Sequence, residues 1–194
     1  GLEGAVEKVR LHENGKVDLD VIGDQEPAGI CGSGLVSLLG ELLRTRRMNQ
    51  LGRLSDFSDS FFLNGEKSLW MSENDVSLLA QAKGANIAGL RLVCRSFGIG
   101  FDEIEKLYLA GGFARHIDLD AARRIGLLPD LPDNKVIQIG NASIEGATLA
   151  LLSVSLRREL ESFVKTVRHL ELEQDPAFFD CFVEGCQFTP VRNV

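Results

Sequence analysis

Lys106 Leu107 Tyr108 Leu109 Ala110 Gly111 Gly112 Phe113 is the stretch on which the fold turns. A short apolar run that begins at Glu105 stops abruptly at two adjacent glycines, so it reads as a buried strand entering a tight turn. Downstream, Asp118 to Ile125 has the pattern of a short helix, and Pro129 and Pro132 break the chain. Lys135 to Ile139 reads as a second buried strand, after which Gly140 Asn141 leads into a helix predicted from about Ser143 to Phe163. Thr166 to Leu172 alternates like an edge strand, and Pro176 to Cys186 reads as a last helix.

Upstream of the decisive stretch, Ala5 to Leu11 and Val17 to Ile22 alternate on either side of Asn14 Gly15, the pattern of a β-hairpin. Gly29 Ile30 Cys31 Gly32 Ser33 Gly34 then feeds an amphipathic helix in which Leu35, Leu38, Leu39, Leu42 and Leu43 recur at helical spacing. A polar stretch from Asn49 to Asp59 precedes a second hairpin, Phe61 to Leu63 and Leu69 to Met71 around Asn64 Gly65. Ser72 and Asp75 form a capping-box pattern that opens a long helix ending at Gly98. Strands alternating with helices predict an α/β or α+β layered domain.

With 194 residues the chain amounts to about 1.3 domains of ~150 residues, and 44% hydrophobic with 25% charged residues is enough apolar mass for a core. Disorder and collagen-like structure are excluded. The net charge of −7 with no basic tract argues against nucleic acid as a partner. No apolar run reaches the ~20 residues of a membrane span, and the start at Gly1 lacks a secretory signal and reads as a cut inside a longer chain. Cys31, Cys94, Cys181 and Cys186 lack metal-ligand spacing and are expected to be buried thiols, which fits a reducing, cytoplasmic setting.

Three glycine turns stand at junctions that lead into helices: Gly29 to Gly34, Gly111 to Gly112, and Gly140 to Gly146. Glycine serves where φ is positive or where a ligand approaches the backbone, and a helix start beyond such a turn offers free N–H groups to an anion. Plain turn chemistry explains any one of them; together they suggest a nucleotide cradle. None has the P-loop ending or the dinucleotide spacing. Ser33 lacks a nucleophile elbow, Cys31 has no nearby histidine, and His116 reads as a surface or capping residue. Asp118, Asp120 and Glu145 do not define a general-base pair. Lys83, in Gln81 Ala82 Lys83 Gly84 Ala85, reads by itself as part of a solvated helix face.

Taken in order, the Gly29 to Leu35 turn, Gln81 to Ala85, Leu109 to Phe113, Ile125 Gly126 Leu127 Leu128 Pro129, and Gly140 to Ser143 with Gly146 Ala147 resemble one family. It is the RACo-type iron–sulfur proteins, ATP-dependent reductive activators of corrinoid proteins. The resemblance runs nearly the whole chain and implies the C-terminal part of an actin-like (ASKHA) ATPase unit. That means a ribonuclease-H-like α/β lobe, a layered sheet with flanking helices, spanning residues 1–194. A [2Fe–2S] ferredoxin-like domain, a linker and the first lobe would precede it.

The resemblance further implies that ATP with Mg lies against Gly111, Gly112 and Phe113, flanked by the helix bearing Gln81 and Lys83. Asn141 and Gly146 would belong to a hinge helix. Gly32, Ser33 and Gly34 form a candidate anion-binding turn whose role the resemblance does not assign. Ala114 and Arg115 stand where relatives commonly carry another glycine. The implied role is to return an oxidised corrinoid from Co(II) to Co(I), with a corrinoid protein or corrinoid-dependent methyltransferase as partner and a homodimer left open. By itself the fragment is expected to be inactive. A non-catalytic docking or dimerisation module, and a small-molecule kinase of the same superfamily, are the competing readings.

Overall fold

A computed structural model describes residues 1–55 and 59–192. Strands β1 (Ala5–Leu11) and β2 (Val17–Val21) form the expected antiparallel hairpin, and the short β3 (Gly29–Ile30) runs parallel to β1 on its other side. Helix α1 (Gly32–Arg44) lies along β1. Because β3 covers only the first two residues of β1, the rest of that edge needs other partners. Helix α1 supplies them at i, i+4 and i+7. The Ser37 hydroxyl accepts from Val9 N and donates to Val9 O, both at 3.0 Å, Glu41 accepts from Leu11 N at 2.8 Å, and Arg44 donates to Leu11 O at 2.6 Å. Arg44 also holds the Glu41 carboxyl below its usual range.

The second hairpin, β4 (Ser60–Phe62) with β5 (Trp70–Ser72), leads into α2 (Glu73–Phe97). Of the polar stretch Asn49 to Asp59, residues 56–58 lie outside the described residues. The capping box at Ser72 and Asp75 forms as expected, and Gly98 closes α2 in the left-handed region at φ 72. Strands β6 (Leu107–Leu109) and β7 (Val136–Gln138) pair in parallel. Between them lie α3 (Gly112–His116) and α4 (Leu119–Arg124), so the unit is strand, helical crossover, parallel strand. Helix α3 was not anticipated, being a single short turn of helix with no periodic pattern.

The C-terminal part departs twice from expectation. The single helix predicted from Ser143 to Phe163 is two, α5 (Ala142–Leu152) and α6 (Val154–Val164). Ser153 breaks it with extended backbone, and its hydroxyl accepts from Leu156 N at 3.3 Å to cap α6. The predicted edge strand Thr166 to Leu172 does not form: residues 167–171 have no regular structure, because alternation without a neighbouring strand leaves no ladder to join. Helix α7 (Phe178–Gly185) forms as expected and packs along α2. The main core joins β1, α1, α4, the second hairpin and the start of α2, closed by Phe188 from the tail after α7.

Candidate functional site

The structure brings the three glycine turns together. Gly111 N donates to Gly140 O at 3.0 Å, which ties the turn after β6 to the turn after β7. The Phe113 ring lies over Gly32, where a Cβ would stand 2.7 Å from two ring carbons, so the second turn also meets the first. Gln138, which the sequence reading passed over, fixes this arrangement. Its amide nitrogen donates to Ala114 O at 2.7 Å and Ile117 O at 3.1 Å, holding α3 against the end of β7. Only its place at the end of a buried strand beside the turn could have pointed to it.

The glycines have different duties. Gly111 has φ 99 and needs to be glycine for its backbone, whereas Gly112 opens α3 outside that region, so the positive φ expected of the turn belongs to Gly111 alone. A Cβ at Gly111, Gly112 or Gly146 would meet nothing within 4 Å. That open space beside exposed backbone suits a flat ligand. Gly34 is packed instead, since a Cβ there would stand 2.1 Å from Val6 O. Ser33 is buried with its hydroxyl 3.1 Å from Cys31 Sγ. Two members of the candidate anion-binding turn therefore face the interior. Burial pushes the Cys31 thiol up, but hydrogen bonds from the Ser33 side chain and the Gly34 and Ser33 backbones outweigh it and leave it below its usual value.

Asn141 caps α5, its side-chain oxygen accepting from Ile144 N at 3.2 Å. Asp118 caps α4 in the same way through Ala121 N at 3.0 Å, and Asp120 pairs with Arg123. His116 is exposed, 4.0 Å from Glu7, as a surface residue should be. All four cysteines are half-buried rather than buried, and among the described residues no three His, Cys, Asp or Glu side chains cluster to hold a metal.

The pair Gln81 and Lys83 behaves differently. Gln81 is exposed and lines a hollow of about 370 Å³ between the start of α2 and the end of α7, which contains no residue of the three turns. Lys83 does not lie on a solvated face. It is 4% exposed and donates to the carbonyls of Gly185 and Gln187, the latter at 2.6 Å, with the Phe188 ring centroid 5.0 Å from its ammonium. Burial pushes its pKa from 10.5 down to about 8, against a smaller lift from Cys186. The unfolded chain then holds more protons between those values, so stability should rise as pH climbs from about 8 toward 10.5. Urea unfolding of wild type and Lys83→Met across that window is expected to show a steeper rise in wild type; equal slopes would contradict it.

A parallel βαβ unit with backbone-lined glycine turns at its strand ends, beside a mixed sheet flanked by helices, defines an α/β domain of the ASKHA class, a nucleotide-binding fold. Residues 2–193 match the family described as the C-terminal domain of RACo, the ASKHA domain, and the chain belongs to that family. It is 31% identical to the corrinoid activation enzyme RamQ of Eubacterium limosum over 97% of this chain and 36% of that protein. Identity to a Co(II) methylated amine-specific corrinoid protein reductase of Methanosarcina barkeri is 28%, over 79% of this chain and 28% of the relative. A solved structure titled reductive activator for corrinoid, iron–sulfur protein is 32% identical with a TM-score of 0.87, over 97% of this chain and 33% of that one. The chain spans about a third of the length of these relatives. Among the described residues no helix is long and apolar enough to cross a membrane.

Proposed function

We propose that this chain is the C-terminal nucleotide-binding part of an ATP-dependent iron–sulfur protein that returns a corrinoid protein from Co(II) to Co(I). The observation that carries the nucleotide half is the meeting of three glycine turns with open space over Gly111 and Gly112. The corrinoid half rests on the named activities of the relatives. Gly111 and Gly112 would hold the adenosine end of Mg-ATP, which supplies the free energy for an uphill reduction. Gln138 keeps the turn in place, and Asn141 with Gly146 carries the adjoining helix. Gln81 remains available to a ligand, while Lys83 acts by fixing α7 on α2. The scattered thiols do not fit a [2Fe–2S] cluster, which in this reading belongs to a separate domain of the longer protein.

Gly112→Val tests the site. Because a Cβ there meets nothing within 4 Å, the variant should fold normally, while its side chain fills volume the nucleotide needs. ATP affinity by titration calorimetry is expected to fall at least tenfold, about 1.4 kcal/mol, with unchanged circular dichroism. Equal affinity in a folded variant would make the turn structural only.

A further inference from the structure

In the candidate anion-binding turn, Ser33 and Gly34 are buried while Gly32 is exposed. The backbone does not require glycine at Gly32. Its φ is not positive, and as the first residue of α1 it stands where alanine fits and favours the helix. What excludes a side chain is Phe113. The three atoms nearest to a Cβ at Gly32 all belong to that ring, Cδ2 and Cε2 at 2.7 Å and Cγ at 3.8 Å. Gly32 is thus a seat for the edge of an aromatic ring that follows directly on Gly111 and Gly112.

The seat is anchored on both sides. On the α1 side, Cys31 N donates to Val6 O at 3.0 Å, and Ser37, Glu41 and Arg44 bond the helix along β1. On the α3 side, Gln138 holds Ala114 O and Ile117 O, so the short helix carrying the ring cannot slide away. Between these anchors stand the Phe113 ring, 49% exposed, and the two glycines with open space beside them. A push at Gly32 is therefore taken up by the ring and the Gly111–Gly112 turn, the soft part of the contact.

We propose that Gly32 is a positioning residue for the nucleotide, which parks the Phe113 ring against α1 and so keeps the volume over Gly111 and Gly112 free for the adenosine end. This role rests on the proposed nucleotide site and gives the unassigned first turn a part in it. Gly32 itself touches no ligand and acts through Phe113. With the ring seated, as it is in the structure, the space beside the two glycines is open. With the seat filled by a methyl group, the ring must leave it. Swinging fully into water forfeits apolar burial, so the ring settles over the open backbone of the turn instead, where it competes with a flat ligand for the same surface. A binding surface is only as well placed as the packing that locks its side chains, and here the lock is the absence of a Cβ on a neighbouring helix.

Titration calorimetry with Mg-ATP on the full-length protein, in a double-mutant cycle of Gly32→Ala and Phe113→Ala, tests the seat. Gly32→Ala is expected to weaken ATP binding at least about fivefold, with circular dichroism and the melting temperature of the nucleotide-free protein unchanged. Once the ring is gone the seat has no purpose, so Gly32→Ala should cost nothing further in the Phe113→Ala background. A substitution that acted through the backbone of α1 would instead weaken binding equally in both backgrounds. ATP affinity indifferent to Gly32→Ala, the same loss with and without the Phe113 ring, or a lowered melting temperature in Gly32→Ala would each overturn the proposal. Wild-type protein that binds no ATP would remove the nucleotide reading and this role with it. Wild-type binding that ignores Gly32→Ala would remove this role alone, so the two failures are told apart.

Discussion

Gly34→Ala is expected to destabilise the fold by about 3 kcal/mol, a fall of roughly 6–12 °C in melting temperature for a chain of this size. The added methyl would stand 2.1 Å from Val6 O and 2.9 Å from Ile30 Cγ2, and the first of these is backbone. Val6 sits inside β1 between β2 and β3, and its carbonyl accepts from Cys31 N at 3.0 Å. It cannot yield without opening the sheet, so α1 must move. Moving α1 strains the bonds by which Ser37, Glu41 and Arg44 complete the free edge of β1. Alanine's better helix propensity returns only about 1 kcal/mol, too little to reverse the sign. Gly29→Ala, where a Cβ meets nothing within 4 Å, is the control and should change stability by less than about 0.5 kcal/mol. Thermal unfolding of both variants decides it; a Gly34→Ala protein as stable as wild type would show that α1 can leave β1 freely.

What could be read from the chain in advance follows how local each signal is. The Asn14 Gly15 hairpin, the Ser72 and Asp75 capping box and the Gly98 stop need only neighbours within a few residues, and each forms as read. The glycine turns were legible as turns, and their meeting fits the cradle the pattern suggested. Lys83 was not legible. Its partners are the carbonyls of Gly185 and Gln187, about a hundred residues away, and no helical pattern reveals that an amphipathic position faces a distant tail. Thr166 to Leu172 shows the converse. Its alternation is real, but a strand exists only where a second strand offers a ladder, and none adjoins it among the described residues. The break at Ser153 falls between, because serine in a helix becomes a cap only when the preceding turn is tied off, here by Arg157.

The tail after α7 carries a fully buried aromatic ring that pattern reading missed, and Phe188→Ala is expected to cost about 3–5 kcal/mol. Phe188 is 2% exposed although it follows the last helix in an irregular segment. Its ring enters the core beside Gly52, where a Cβ would come within 3.0 Å of it, and its N–H donates to Gln50 O at 2.8 Å. Lys83 sits over the ring and holds the backbone on both sides, at Gly185 and Gln187. A few residues on, Asp130 N donates to Val191 O at 3.0 Å, which ties the tail to the segment leading into β7. Removing the ring therefore leaves a cavity where α2, the loop at Gln50 to Gly52 and the tail meet, and none of the three can close alone, since each is pinned by its own hydrogen bonds. Phe188→Leu, which keeps most of the volume, should recover more than half of the loss, while Phe179→Ala, at a residue of α7 that is 69% exposed, should stay within about 0.5 kcal/mol of wild type. Urea unfolding of the three variants is the measurement. A loss below about 1 kcal/mol for Phe188→Ala would mean that the tail rests on the domain without closing its core, and that Lys83 is buried for some purpose other than holding it there.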